Sequence, residues 1–404
     1  MAERVKLFKF SVDRETAFAG DKAVPSYSDI QVVQVPSKEF KQLEIPDERV
    51  RADVGEHPPI VGPKYQSTFS FKTYPTGRDG TEVPDGAHPA TTLPMGKIFS
   101  ALIGTEVQNG TSTVAVGGGA VGAVTVAAGE GARFSSNTIV GFVTANFGTV
   151  YRLVTVAGDV LTPSYELPEA PADAAAVIGG DCYQFTTDIA PDGAYGADIT
   201  SWQSRFLGER ADSKYRILGC MGDTMDFECG KPGEVPTYTF GVRLADWEDD
   251  ETGALAGTTI TGTAAWMNAR HELVPTGSLP TYSAAFRRKA RNIKISLARG
   301  LKDSPDPHGA QGIDGWESGG EPMWNVNMEL DIDDAWRDAF PLGSTFELHS
   351  AFGNTRGSMD VWYMRSLHLK AYPTDGEADG RMITPVQFGV TSGVTAPTVV
   401  LGLL

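Results

Sequence analysis

The sequence predicts a mainly β fold: one large β domain with a short helix, interrupted by a small inserted β domain. Three observations carry that prediction. From Tyr215 to Gly241 (YRILGCMGDTMDFECGKPGEVPTYTFG) apolar residues alternate as Tyr215, Ile217, Met225 and Phe227, then as Tyr238 and Phe240. Period two is the signature of a strand with one buried face. The composition, with 46 Gly and 25 Pro among 404 residues and few Leu-Lys-Glu blocks at helical spacing, turns away from helices. Third, charge almost vanishes between Thr105 and Cys182, where Gly, Ala, Val and Thr dominate.

The elements follow in chain order. Residues 1–64 are polar and proline-punctuated, with one good strand over Ile30–Val35. Gln66–Tyr74 alternates cleanly, Phe69 and Phe71 on one face and Thr68 and Ser70 on the other. Pro94–Ile103 reads as a short helix, since proline suits the first turn and Gly104 a stop. In the low-charge segment, Val124 and Val126, then Ile139, Gly141 and Val143, then Val150, Leu153, Val154 and Val156 mark short strands of a small barrel or sandwich. A Pro-Ala-Asp-rich stretch, Pro163–Ala176, leads back to Tyr183. This divides the chain into 1–104 with 183–404, and an insertion over 105–182; a single domain with a Gly-rich excursion is the other reading of the same texture.

Beyond the insertion, Trp202–Leu207 and Tyr215–Leu218 are expected to pair around the turn Gly208–Asp212, followed by the hairpin. Further strands are expected at Thr258–Trp266, Asn292–Leu297, Trp324–Ile332, Ser344–Ala351, Ser358–Leu369 and Ile383–Val390. A second short helix is read over Asp333–Phe340, with Asp333 or Asp334 as N-cap.

With 34 Lys and Arg against 51 Asp and Glu, the formal charge is −17, which disfavours nucleic-acid binding overall. The three cysteines, Cys182, Cys220 and Cys229, match neither a disulfide framework nor a zinc spacing. They read as small core residues, with Cys220 and Cys229 flanking the hairpin turn as a facing pair the alternative. MAERVKLFKF has charges but no apolar run, and the terminal TAPTVVLGLL is far shorter than the ~20 residues of a membrane span. The product is expected to stay soluble in the cell that makes it.

No motif argues for catalysis. Gly117–Gly122 satisfies GxGxxG, yet the following AVTVAAGEG alternates like a strand and offers no helix for a pyrophosphate, so the run reads as a connection. The acidic runs Asp246–Glu251 and Asp331–Asp334 lack calcium-loop spacing and read as solvated turns. His57, His88, His271, His308, His349 and His368 are scattered. Expected catalytic, cofactor-binding and metal-binding residues are therefore none, and no cofactor is expected. Arg287, Arg288, Lys289 and Arg291 form one basic cluster, read either as partner to an acidic patch on a neighbouring subunit or as the guard of a sheet edge.

The Tyr215–Gly241 segment resembles the central hairpin of tail tube (major tail) proteins of long-tailed bacteriophages. The resemblance rests on the Gly-small-x-Gly step Gly219–Gly222, the turn Gly230 and Pro232, and the aromatic strand ending Phe240-Gly241. Glu15–Gly20 with Val24-Pro25-Ser26 is similar to that family's N-terminal arm (1–64 here), QSTFSF at 66–71 to its next strand, and Pro94–Gly104 to its short helix. Tyr183 and Trp202 come in the same order, and Gly343–Leu369, with Gly353 and Gly357 around a turn, resembles its later strands. The resemblance covers most of the host domain and is one of strand-and-turn texture; the 105–182 insertion departs from the simplest members.

The resemblance implies a β-sandwich or partly closed barrel with a flanking helix, and a homo-hexameric ring that stacks into a tube for DNA ejection. It also implies tape measure, tail terminator and baseplate or tip proteins as partners. The virion would be the destination, the host cytoplasm the place of assembly, with no enzyme activity and no membrane. The alternative is a β-rich adhesion or receptor/glycan-binding module, with Trp247, Trp316 and Trp324 as exposed platforms. A β-fold hydrolase is the third class, for which no acid–base pair is found in the sequence.

Overall fold

Alternation turns into sheet along most of the described residues. A computed structural model describes residues 9–14, 28–30, 32–33, 37–39, 41–45, 60–64, 67–75, 94–185, 200–206, 213–230, 235–249, 269–276, 282–283, 287–306, 313–319, 323–331, 345–353, 359–370, 376–378, 381–390 and 397–404. Among these described residues, nineteen strands join in one hydrogen-bonded network, and six others close a separate small barrel. Expected features at Glu15–Ser26, Gly208–Asp212, Lys231–Gly233, Thr258–Trp266, Asp333–Phe340 and Gly357 lie outside the described residues.

The strand Ser213–Cys229 organises the large sheets. Its first half pairs with Thr200–Phe206 on one side and Asp246–Asp249 on the other. From Met221 onward its partners are instead Thr237–Leu244 and Ala290–Ala298. The change falls at Gly219–Gly222, so this step is where one strand passes between two sheets, a corner that bulges commonly make. Gly219 has φ of 64°, a left-handed angle that glycine adopts without strain. Three residues on, a Cβ on Gly222 would stand 2.3 Å from Leu102 Cδ1. The glycine thus opens the seat for the helix Pro94–Leu102, whose Phe99 ring lies 5.2 Å from Tyr238 and 5.6 Å from Tyr183. Arg299 fixes the same corner: its buried Nη1 donates to the carbonyls of Leu102 (3.5 Å) and Gly222 (3.4 Å). A cation at the last helical carbonyl also complements the helix dipole.

Beyond the corner, the sheet continues through Ala290–Ala298, Met323–Asp331, Arg381–Val390, Asp360–Leu369, Thr345–Phe352 and Arg270–Pro275. Along the same side of Asp360–Leu369 the partner changes from Val399–Leu403 to Arg381–Val390, and Ser366, with φ of 57°, sits at that change. The core draws on most of these strands: Phe227 meets Phe352 at 4.7 Å, and Trp324 meets both Phe185 (5.4 Å) and Trp362 (6.1 Å). Residues predicted to face inward do so, with Phe69, Phe71, Tyr238 and Phe240 all buried.

The barrel uses Ser112–Gly119, Val124–Val126, Thr138–Thr144, Gly148–Ala157, Val160–Pro163 and Ala176–Ile178. The flanking strands Thr105–Gln108 and Asp181–Phe185 pair with each other in the large sheet, so the chain leaves and re-enters that sheet at adjacent points. Val140 and Phe142 fill the barrel, whereas Ile139 joins a second cluster with Tyr151, Leu153, Val361, Tyr363 and Val400. The expected alternation through Ile139 therefore followed the outer face. That face is buried too, because it packs on the large sheet.

Other expectations are corrected. Cys220 and Cys229 lie on one strand nine residues apart rather than across a turn, and all three cysteines are buried. Cys182 Sγ accepts from the Ile139 amide at 3.4 Å, and burial pushes its thiol up to about 12. The acidic run Asp246–Asp249 is a strand, not a turn, because it pairs with the first half of Ser213–Cys229. Gly117–Gly119 is the end of a barrel strand rather than a connection. Val399–Leu403 is a fully buried strand, and no helix among the described residues is long and apolar enough to cross a membrane.

Candidate functional site

The barrel packs on the outer face of the large sheet, and a cleft of about 400 Å³ opens beside that seam. Phe147 and Arg152 line it from the barrel; Arg270, Glu272 and His349 line it from the sheet. Phe147 occupies the turn between Thr138–Thr144 and Gly148–Ala157, which explains its 37% exposure.

Strand register assembles the sheet side. Glu272 stands opposite Arg287 on one neighbouring strand and His349 on the other, and His349 in turn stands opposite Tyr363. Facing residues on adjacent strands share one side of the sheet. One row therefore reads Arg287, Glu272, His349, Tyr363, with Arg270 two residues from Glu272 on the same face.

Glu272 is the electrostatic centre. Its Oε2 lies 3.0 Å from Arg152 Nη2, with both side chains only 2% exposed. Oε1 accepts from Arg270 Nε (3.0 Å) and Nη2 (2.8 Å), and Arg287 Nε stands 3.7 Å away. Arg152 also donates to the Tyr151 carbonyl at 2.8 Å and lies 4.2 Å over the Tyr165 ring. Burial pulls its guanidinium below the ordinary value and Glu272 pulls it back. Burial, with Glu272 adding to it, raises the Tyr165 hydroxyl. His349 is held well below the usual imidazole value by burial and then by Arg152, so its ring is neutral at pH 7.

A serine–histidine pair lies nearby, His271 Nδ1 being 2.9 Å from Ser350 Oγ. The two residues are directly opposite across the strands and belong to the face turned to the main core, where His271 also meets the Phe352 ring at 5.3 Å. Among the described residues no carboxylate bonds to His271, and burial lowers its pKa to about 4. The geometry is that of a cross-strand hydrogen bond.

The site gathers residues that sequence reading had treated apart. Arg287, from the basic cluster, turns toward the chain's own Glu272 and stacks 5.2 Å over Phe147 and 5.9 Å over Tyr282. His349 lines the cleft while His271, on the adjacent strand, faces the main core, and His57, His88 and His308 lie outside the described residues. Arg152, Glu272 and Arg270 were not singled out, and nothing in their local sequence marks them. Trp316 and Trp324, considered as exposed platforms, are buried, and Trp247 packs against the main core. Trp316 Nε1 donates to the Gly219 carbonyl at 3.1 Å. Among the described residues no group of three His, Cys, Asp or Glu side chains is placed to hold a metal ion.

The sequence matches no protein-family model and no curated protein.

Proposed function

We propose that this chain is a structural virion subunit that assembles into stacked hexameric rings, forming a phage tail tube through which genomic DNA passes. The observation that carries this reading is the Gly219–Gly222 corner, where one long strand changes sheets and a short helix is seated. The same glycines, hairpin and helix bear the resemblance to tail tube proteins. On this reading the large sheets form a tail-tube-like sandwich or partly closed barrel, with the helix at its flank and the small barrel as an insertion.

The physics of such an assembly is straightforward. A heterologous interface that closes by rotation gives a ring, and one that does not close gives a filament. Strand edges open in one subunit are completed by the next. A net charge of −17 favours a bore that repels phosphate, which suits passage of DNA rather than its retention.

Negative-stain electron microscopy of the purified protein at rising concentration tests the reading. Hexagonal rings or tubes with a central hole are expected. Compact monomers or trimers at every concentration would overturn it in favour of an adhesion module.

A further inference from the structure

The seam cleft holds more positive charge than its buried carboxylate neutralises. Arg152, Arg270 and Arg287 all converge on Glu272, at 3.0, 2.8 and 3.7 Å. One carboxylate against three guanidinium groups leaves a local surplus of two positive charges in a chain of net charge −17. Glu347, beside His349, lies 3.7 Å from Arg365, which balances it; Glu166 accepts from the neutral Tyr282 amide at 3.3 Å and keeps its charge, but it makes no ion pair with the three arginines among the described residues.

The surplus stands at the mouth. Arg152 is sealed in, whereas the side chains of Arg270 and Arg287 are 26% and 39% exposed. Both are already oriented, Arg270 by two hydrogen bonds to Glu272 and Arg287 by the Phe147 and Tyr282 rings. Deeper in the cleft, His349 Nε2 is buried with no hydrogen-bond partner among the described residues, its nearest carboxylate oxygen, on Glu347, being 4.0 Å away. Pre-oriented guanidinium groups lose little freedom when an acceptor arrives, and a planar fork suits a carboxylate. The combination of exposed Arg and aromatic side chains around a small cleft is also what interface anchoring sites are made of.

We propose that this cleft receives a carboxylate side chain from a second copy of this chain. Charge complementarity identifies the occupant: each copy carries 51 Asp and Glu against 34 Lys and Arg, so self-association brings acidic surface to a site that is locally cationic. The volume of about 400 Å³ admits a side chain, not a folded segment. The inference rests on the self-assembly reading and names one contact through which it proceeds.

Sedimentation velocity across a concentration series tests it, with wild type beside Arg287→Ala, Arg270→Ala and the double variant. Circular dichroism and thermal unfolding check that each remains folded. Loss of either arginine is expected to raise the concentration needed for assembly by about tenfold, and added salt is expected to act in the same direction. Arg287, the more exposed, decides the matter by itself should variants at Arg270 fail to fold. Folded Arg287→Ala protein that assembles at the wild-type concentration overturns the inference and leaves the assembly reading standing. Wild type that stays monomeric at all concentrations overturns both.

Discussion

Arg152 and Glu272 form an ion pair at 3.0 Å, both side chains 2% exposed, that ties the small barrel to the large sheet. The two partners are not equivalent. Glu272 has two further cations beside it, Arg270 and Arg287, whereas among the described residues Glu272 is the only carboxylate paired with Arg152.

That asymmetry predicts unequal costs. Glu272→Gln strands a buried guanidinium and is expected to destabilise the protein by about 3–5 kcal/mol. Arg152→Met leaves Glu272 with two cations and is expected to cost less, about 1–3 kcal/mol. Urea midpoints of the two variants at one pH measure the order. If Arg152→Met proves the more damaging, the pairing scheme is wrong.

A second prediction concerns pH. The Tyr238 hydroxyl donates to Asp360 Oδ2 at 2.7 Å inside the core, yet burial still pushes the Asp360 carboxyl up to about 7. The folded state therefore keeps a proton that the unfolded chain releases near pH 4. The stabilisation is present below that value and is lost as pH rises toward 7. His271 works in the opposite sense. Its folded value of about 4 lies below the ordinary one, so its contribution is present above pH 6.5 and lost as pH falls; His349 adds to the same direction. Asp360→Asn is expected to gain on wild type by up to about 1.4 kcal/mol per pH unit between pH 4 and 7. Chemical unfolding of both proteins at several pH values reads the difference, and a gap that stays constant would count against a neutral buried Asp360.

The third prediction addresses the corner. In Gly222→Ala the new methyl would stand 2.3 Å from Leu102 Cδ1 and 3.0 Å from Leu102 Cβ. A cost of about 1–3 kcal/mol is expected as the helix shifts off its seat. In a Leu102→Ala background the same change should cost clearly less, because Cδ1, the atom at 2.3 Å, is gone and only Cβ at 3.0 Å remains. A double-mutant cycle measures this coupling, and strictly additive effects would show that the glycine serves only the backbone.

Much of this architecture was legible from residue order. Phe69 with Phe71, and Tyr238 with Phe240, announce their strands because one face of each is buried and the other is not. At Ile139 the same rule marks the strand but not which face is interior. Its strand is buried on both sides, by the barrel interior and by the large sheet, and alternation then no longer points inward. Gly219 and Gly222 were readable as a break, but not as a corner. A strand that changes partners without ending leaves no mark beyond the glycines themselves.

The seam cleft was not legible. Arg152 and Glu272 are 120 residues apart, and neither belongs to a motif. What the amino-acid sequence determined by itself was local: strand class from period two, the helix from its proline start and glycine stop, and the small β region from its loss of charge. Those features follow from backbone sterics and from the burial of one face, which act between near neighbours. The row Arg287, Glu272, His349, Tyr363 was decided only by tertiary structure. Strand register, set by packing across the whole sheet, brings distant charges onto one face, and the docking of the barrel then removes the water that would have screened them.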